Sequence, residues 1–204
     1  MDFRLRLLSI AAFFLLSPSV QAVIVWNETI NGDLSSNPAV PTRIVFQLGS
    51  NIINGSVFTG SDTRDYITFT LAADQKLVSL RLLLYDNLDT PAANDGNTGF
   101  NAINLGATSF IPDATTAGLF LGASHVNPPV NVDLLPVLAA APAAGTGFTA
   151  PLGAGTYSYL IQQTGPQRDG YSLEFNITPE PSSLVLLLTG VAALSARRKR
   201  RSGS

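Results

Sequence analysis

The chain has 204 residues, enough for one ordinary domain with short tails. Charged residues make up 13% of it, against about 25% in a usual soluble domain. With 17 Gly and 13 Pro, that deficit excludes helical bundles and coiled coils, which need charged faces. The absence of Cys excludes disulfide frameworks, thiol catalysis and Fe–S clusters, and a single His excludes multi-histidine metal centres. The net charge of −2 hides an uneven distribution. Residues 23–178 hold 5 basic and 12 acidic side chains, a net of −7, while most of the cations sit at the two ends. An acidic body repels phosphate, so nucleic acid is not an expected partner.

The N-terminus carries Arg4 and Arg6, then an apolar run over 7–16 broken only by Ser9, then small and polar residues ending at Ala22. This order predicts a Sec signal peptide over 1–22, a short apolar helix cleaved after Ala22, with the Sec translocon as partner. The run is shorter than the roughly 20 residues a bilayer span needs. Export without Cys fits an envelope protein that does without disulfides.

Residues 23–178 read as strands and turns. The clearest strand is Tyr171-Ser172-Leu173-Glu174-Phe175-Asn176-Ile177, apolar at every odd position and polar at every even one. Residues 66–71 alternate in the same way. Residues 77–85 are more apolar, with Val78, Leu80, Leu82 and Leu84 expected on one face and Arg81 on the other, as in a central strand. Further strands are predicted at 23–26, 43–48, 52–58, 118–121 and 156–162. Gly49-Ser50-Asn51 and Asn54-Gly55-Ser56 read as turns, and Asn54-Gly55 is a strong hairpin signal. Residues 87–99 and 127–147 read as loops, the second of low complexity and expected to be poorly ordered. No stretch repeats at helical spacing. The predicted fold is all-β, an antiparallel β-sandwich or jelly roll over 23–178, flanked by the signal-peptide helix and a C-terminal apolar helix.

Candidate chemistry in the body is sparse. His125 stands at an expected loop entry without a Gly-x-Ser-x-Gly elbow, so a serine triad is not expected. Glu28 and Glu174 are the only glutamates of the body, and nothing pairs Glu174 with a second acid for glycoside hydrolysis. Acids gather at Asp62 and Asp65, and again at Asp86, Asp89 and Asp95 beside Asn87 and Asn94. Loops rich in Asp and Asn can supply oxygen ligands to calcium, although none of these fits an EF-hand spacing. Asp86, Asp89 and Asp95 are the candidate metal ligands, and calcium is the one cofactor weighed. Asp65 has a plainer reading, in which it ties down its own turn. Trp26, Tyr157 and Tyr159 can stack on sugars, but such aromatics more often belong to a core or strand face. No catalytic residue is assigned.

The C-terminus reads Pro179-Glu180-Pro181, an apolar stretch over 184–196, then Arg197-Arg198-Lys199-Arg200-Arg201 and a tail at 202–204. As a helix the apolar stretch covers roughly 20 Å, short of the roughly 30 Å hydrocarbon core. The five cations would act as a stop-transfer cluster at the cytoplasmic face of the inner membrane.

This order resembles the PEP-CTERM sorting signal, with residues 179–201 holding the motif, helix and basic tail. The resemblance implies that Pro179, Glu180 and Pro181 are recognised by an exosortase, a membrane transpeptidase of Gram-negative bacteria. That enzyme would then remove the helix and tail, so the chain would be a substrate of the pathway. The body shows a second resemblance. Trp26-Asn27-Glu28 followed by Gly32-Asp33-Leu34-Ser35 looks like the opening of many exported proteins of this kind. Asp65 before an aromatic strand, with the late Gly155-Thr156-Tyr157, is similar to bacterial pre-peptidase C-terminal domains. Those are β-sandwich modules, and some bind calcium or polysaccharide. The expected function is therefore a non-catalytic structural protein of the cell surface or the exopolysaccharide matrix of a biofilm. The alternatives are a calcium- or carbohydrate-binding adhesin and a membrane-anchored accessory domain of a secreted hydrolase.

Overall fold

A computed structural model describes residues 21–89, 99–126 and 131–180. The expected signal helix, the apolar stretch at 184–196, Pro181, the basic cluster and Asp95 lie outside the described residues. The first strand, β1 (Val23–Asn27), runs into α1 (Glu28–Asn31), a single helical turn. Asn27 caps it by accepting from the Thr29 amide at 3.1 Å. Then follow β2 (Thr42–Arg43), β3 (Gly49–Phe58), β4 (Arg64–Leu71), β5 (Gln75–Asn87), β6 (Gly99–Leu105) and β7 (Gly122–Val126). The chain closes with α2 (Leu134–Ala139), β8 (Gly155–Gln163) and β9 (Arg168–Pro179).

The strands form two sheets, ordered β1-β3-β9-β5 and β2-β4-β8-β6-β7. The body is all-β, as its alternation predicts. Most pairings are antiparallel, but β1 pairs with β3, and β2 with β4, in parallel. This corrects the wholly antiparallel expectation. A parallel pair needs a long crossover, and residues 28–48 supply it between β1 and β3.

The inner faces of the two sheets share one core. Phe175 on β9 is fully buried and packs on Phe46, on Phe69 of β4 and on Tyr159 of β8, at ring-centroid distances of 4.8, 5.7 and 5.6 Å. Leu173, Ile177, Leu80, Leu82 and Ile53 join from the four-stranded sheet, and Ile67, Ile103 and Ile161 from the other. The five-stranded sheet is also covered on its far face, where Tyr66, Phe100, Ala102, Phe120, Ala123 and Leu160 form a second cluster. That explains why β8 is buried at nearly every position rather than every second one.

Several expectations change in detail. The strand expected at 43–48 shrinks to β2, and the one expected at 118–121 is a 3₁₀ turn, Ala117–Leu119. The low-complexity segment contains α2, whose Leu134, Leu135 and Leu138 are buried. His125 stands on β7, with its ring 5.3 Å from that of Phe100. β5 is an edge strand of its sheet, and the interior ones are β3 and β9. The other edge of β5 is covered by Asp133, whose carboxylate accepts from the Leu80 amide at 3.0 Å. The register of β5 on β9 shifts at two points, between Leu77 and Ser79 and between Leu82 and Leu84. Each extra residue changes the phase of the alternation. Leu77, Leu80, Leu82 and Tyr85 therefore face inward, and Leu84 is exposed.

The Asn54-Gly55 hairpin is also overturned, because both residues lie inside β3. Gly55 stands opposite Tyr171 in the β3–β9 register. A Cβ at Gly55 would fall 2.4 Å from the Tyr171 hydroxyl oxygen, so the glycine is there to admit that ring.

Three substitutions test this packing. Phe175→Ala should cost about 3–5 kcal/mol in denaturant unfolding, the usual loss for a fully buried Phe. Ile30→Ala, at a side chain 79% exposed, should stay within about 0.5 kcal/mol. Gly55→Ala should destabilise measurably through displacement of Tyr171, although alanine is the better residue elsewhere in a strand interior.

Candidate functional site

One end of the body gathers acidic side chains from segments far apart in sequence. Glu28 comes from α1, Asp33 from the stretch that follows it, and Asp65 from β4. One carboxylate oxygen of each lies within 4.8 Å of those of the other two. The sequence brought Asp62 and Asp65 forward but did not join Glu28 and Asp33 to them. The joining is done by the parallel β1–β3 pairing, which lays the α1 turn against β3. Glu28 fixes that contact: Oε2 accepts from the Ser56 amide at 2.8 Å and Oε1 from the Leu34 amide at 3.2 Å.

Asp65 is the buried member, 1% exposed. Its Oδ2 accepts from the Tyr171 hydroxyl at 2.7 Å, a bond that crosses from one sheet to the other. Its Oδ1 is buried and has no hydrogen-bond partner among the described residues. Asp62 Oδ1 is buried and unpartnered in the same sense. Among the described residues no ion pair serves any of these carboxylates. Arg168 is the cation that bears on the group, and it acts on Asp62 from a distance.

The electrostatics follow from this geometry. Burial pushes the Asp65 carboxyl well above the usual range, with the negative charges of Glu28, Asp62 and Asp33 adding to it and the Tyr171 bond opposing. Burial raises Glu28 as well, against the two backbone amides that favour its charged form. Asp62 is pushed up to about 7, first by burial and then by Asp33 and Glu28. Burying like charges at this spacing is unfavourable unless a proton or a cation compensates them. The group consists of oxygen donors alone, which suits a hard divalent cation and calcium in particular. It fronts an open cleft of about 950 Å³ whose walls include Asn54, Ser56, Phe58 and Arg168.

Of the candidate metal ligands read from sequence, Asp89 lines the same cleft. Asp86 lies on β5 and Asp89 just beyond it, and neither belongs to the close carboxylate group. The Asp89 carboxylate accepts from the Arg168 amide at 2.9 Å. Glu174 accepts from the Ser50 hydroxyl at 2.5 Å on its own sheet. Tyr157 and Tyr159 are buried, and neither is presented to a sugar. Trp26 is half-buried, with its indole N–H donating to the Gly32 carbonyl at 3.1 Å. His125 has Phe100 as its ring neighbour.

At the opposite end of β9 the chain enters the C-terminal signal. β9 runs to Pro179, and Glu180 follows directly. Among the described residues no helix is long and apolar enough to cross a membrane. No curated protein matches the chain. A family model does, over residues 178–201, and its description is PEP-CTERM protein-sorting motif. Such a motif marks an exported protein that is recognised and processed at the membrane by an exosortase. The C-terminal segment of this chain, from Thr178 to Arg201, is a PEP-CTERM protein-sorting motif.

Proposed function

We propose that this chain is delivered by the Sec route, processed by an exosortase, and left as a non-catalytic structural protein of the cell surface or exopolysaccharide matrix. The observation that carries the reading is the match of residues 178–201 to the sorting motif. The body supplies the cargo, two sheets packed as a β-sandwich of net charge −7 across residues 23–178. Like-charged bodies repel, which favours solubility over self-aggregation. Pro179, Glu180 and Pro181 form the recognition element, and Arg197 to Arg201 hold the segment before them in the inner membrane until it is removed. In the native host, Glu180→Ala should accumulate as full-length chain in the membrane fraction. Distribution of that variant like the wild type would sink the sorting role of the motif.

A second reading concerns the body itself. It takes up a divalent cation, calcium by chemistry, through Glu28, Asp33 and Asp65, with Asp62 beside them. The buried, unpartnered Oδ1 of Asp65 favours it. The cation would tie the opening segment to β4 and offset the repulsion among the acids. Three carboxylates give three to six of the roughly six to eight oxygens calcium takes, so water or a ligand in the cleft completes the shell.

This reading has a definite pH signature. Without metal, the folded-state pKa of Asp62 lies above its unfolded value, so its contribution is present below about pH 4 and lost as pH rises through about 7. In chelator, Tm should therefore fall from about pH 4.5 to about pH 7.5, and fall less in Asp62→Asn. Calcium at about a hundred times its Kd should raise Tm at pH 7.5 by roughly 5–10 °C, and far less at pH 4.5. Asp65→Asn should abolish that rise while melting higher than the wild type in chelator at pH 7.5, since it removes a buried like charge. A calcium-independent Tm at pH 7.5 would refute the cation site.

A further inference from the structure

The start of the sorting motif is held against the folded body. β9 pairs with β5 as far as Lys76↔Thr178 and Gln75↔Pro179. One residue on, the Glu180 amide donates to the Asp74 carbonyl at 2.7 Å. The Glu180 carboxylate lies 3.4 Å from Lys76 Nζ, and both side chains are about one-third exposed, at 34% and 35%. Lys76 is the sole lysine of residues 23–178, and among the described residues its ion pair is with the glutamate of the motif. Backbone and side chain of Glu180 are thus both engaged at the start of β5, by Asp74 just before it and Lys76 within it.

Chain length fixes where this happens. Three residues, 181–183, separate Glu180 from the apolar segment. Even fully extended, the four Cα steps from Glu180 to Leu184 reach only about 14 Å. The end of the body formed by Asp74, Gln75 and Lys76 is therefore the surface that a membrane-embedded processing enzyme meets when it approaches the motif.

We propose that this end of the body is a clasp on the sorting motif, and that the exosortase engages Glu180 only after the tip of β9 has left Asp74 and Lys76. The proposal rests on the sorting reading. Lys76 and the enzyme compete for the same carboxylate, and the Asp74 carbonyl holds the same backbone in extended form on the β5 edge. An ion pair about one-third exposed contributes little in water, so the clasp opens readily and sets the rate of processing rather than forbidding it. Its consequence is that processing responds to the β5–β9 junction, at positions outside the motif itself.

The test uses the full chain in its native host, with precursor half-life followed by pulse-chase. Lys76→Glu, which removes the pair and adds a like charge, should shorten the half-life about two- to five-fold. Lys76→Arg, which keeps the pair, should behave as the wild type. An unchanged or longer half-life in Lys76→Glu overturns the clasp. Hydrogen exchange on the purified full-length precursor in detergent gives an independent reading. The Glu180 amide should be protected in the wild type and exchange faster in Lys76→Glu. Exchange at the unprotected rate in the wild type overturns the clasp whatever the processing result. If the wild type is never processed, the sorting reading fails, and the exchange measurement still decides the clasp.

Discussion

The pairing of β9 along both of its edges is the constraint on which the rest of this structure depends. β3 lies on one side of it and β5 on the other, each antiparallel and each in register over most of the strand. One face of β9 supplies Tyr171, Leu173, Phe175 and Ile177 to the shared core. Strict alternation over these residues puts every apolar side chain inward at once, so a slip of one residue would expose them all. The same strand runs from the carboxylate cluster to the sorting motif. Near its start Tyr171 reaches across to Asp65, and at its finish the chain passes into the sorting motif.

The carboxylate group is the counterpart of that order. A domain with a net charge of −7 could keep its acids in water, yet this one buries Asp65 and half-buries Glu28 and Asp62 near it. Glu28 and Tyr171 show that the arrangement is built, since each makes specific hydrogen bonds that fix a carboxylate in place. Gly55 belongs to the same construction, because the absence of its side chain makes room for the Tyr171 hydroxyl. Glu28 and Asp65 are thus fixed by two backbone amides and a phenol, with Arg168 acting on Asp62 only at a distance.

Strands with simple alternation were legible in the sequence. β9 from Tyr171 to Ile177 and β4 from Ile67 to Leu71 bury one face in period two, and these parts of the core follow from pattern alone. β6 was not legible, because its polar residues are inside: Tyr159 donates to Asn101, and Asn104 donates to Ser109 at 2.9 Å. With two internal polar groups the buried strand shows no clean alternation, and pattern alone does not assign it. In β5 the middle reads in phase, with Leu80 and Leu82 inward and Arg81 outward, but Val78 and Leu84 do not, since single-residue bulges leave no mark in composition. Asn54-Gly55 misled because glycine serves a ring on the facing strand as readily as it serves a turn. In the site, Asp62 and Asp65 are close in sequence and could be noticed together. Glu28 and Asp33 are joined to them only through a parallel crossover, which local spacing does not encode. The sorting motif was fully legible, because its three parts are contiguous and act as a linear segment.

The central claim is that the C-terminal segment is a delivery signal and not part of the working protein. Intact mass of the protein recovered from the cell surface or extracellular matrix tests it most directly. The account predicts a chain that begins at Val23 and lacks Arg197 to Arg201. Recovery of the mature protein with that basic cluster intact would contradict it.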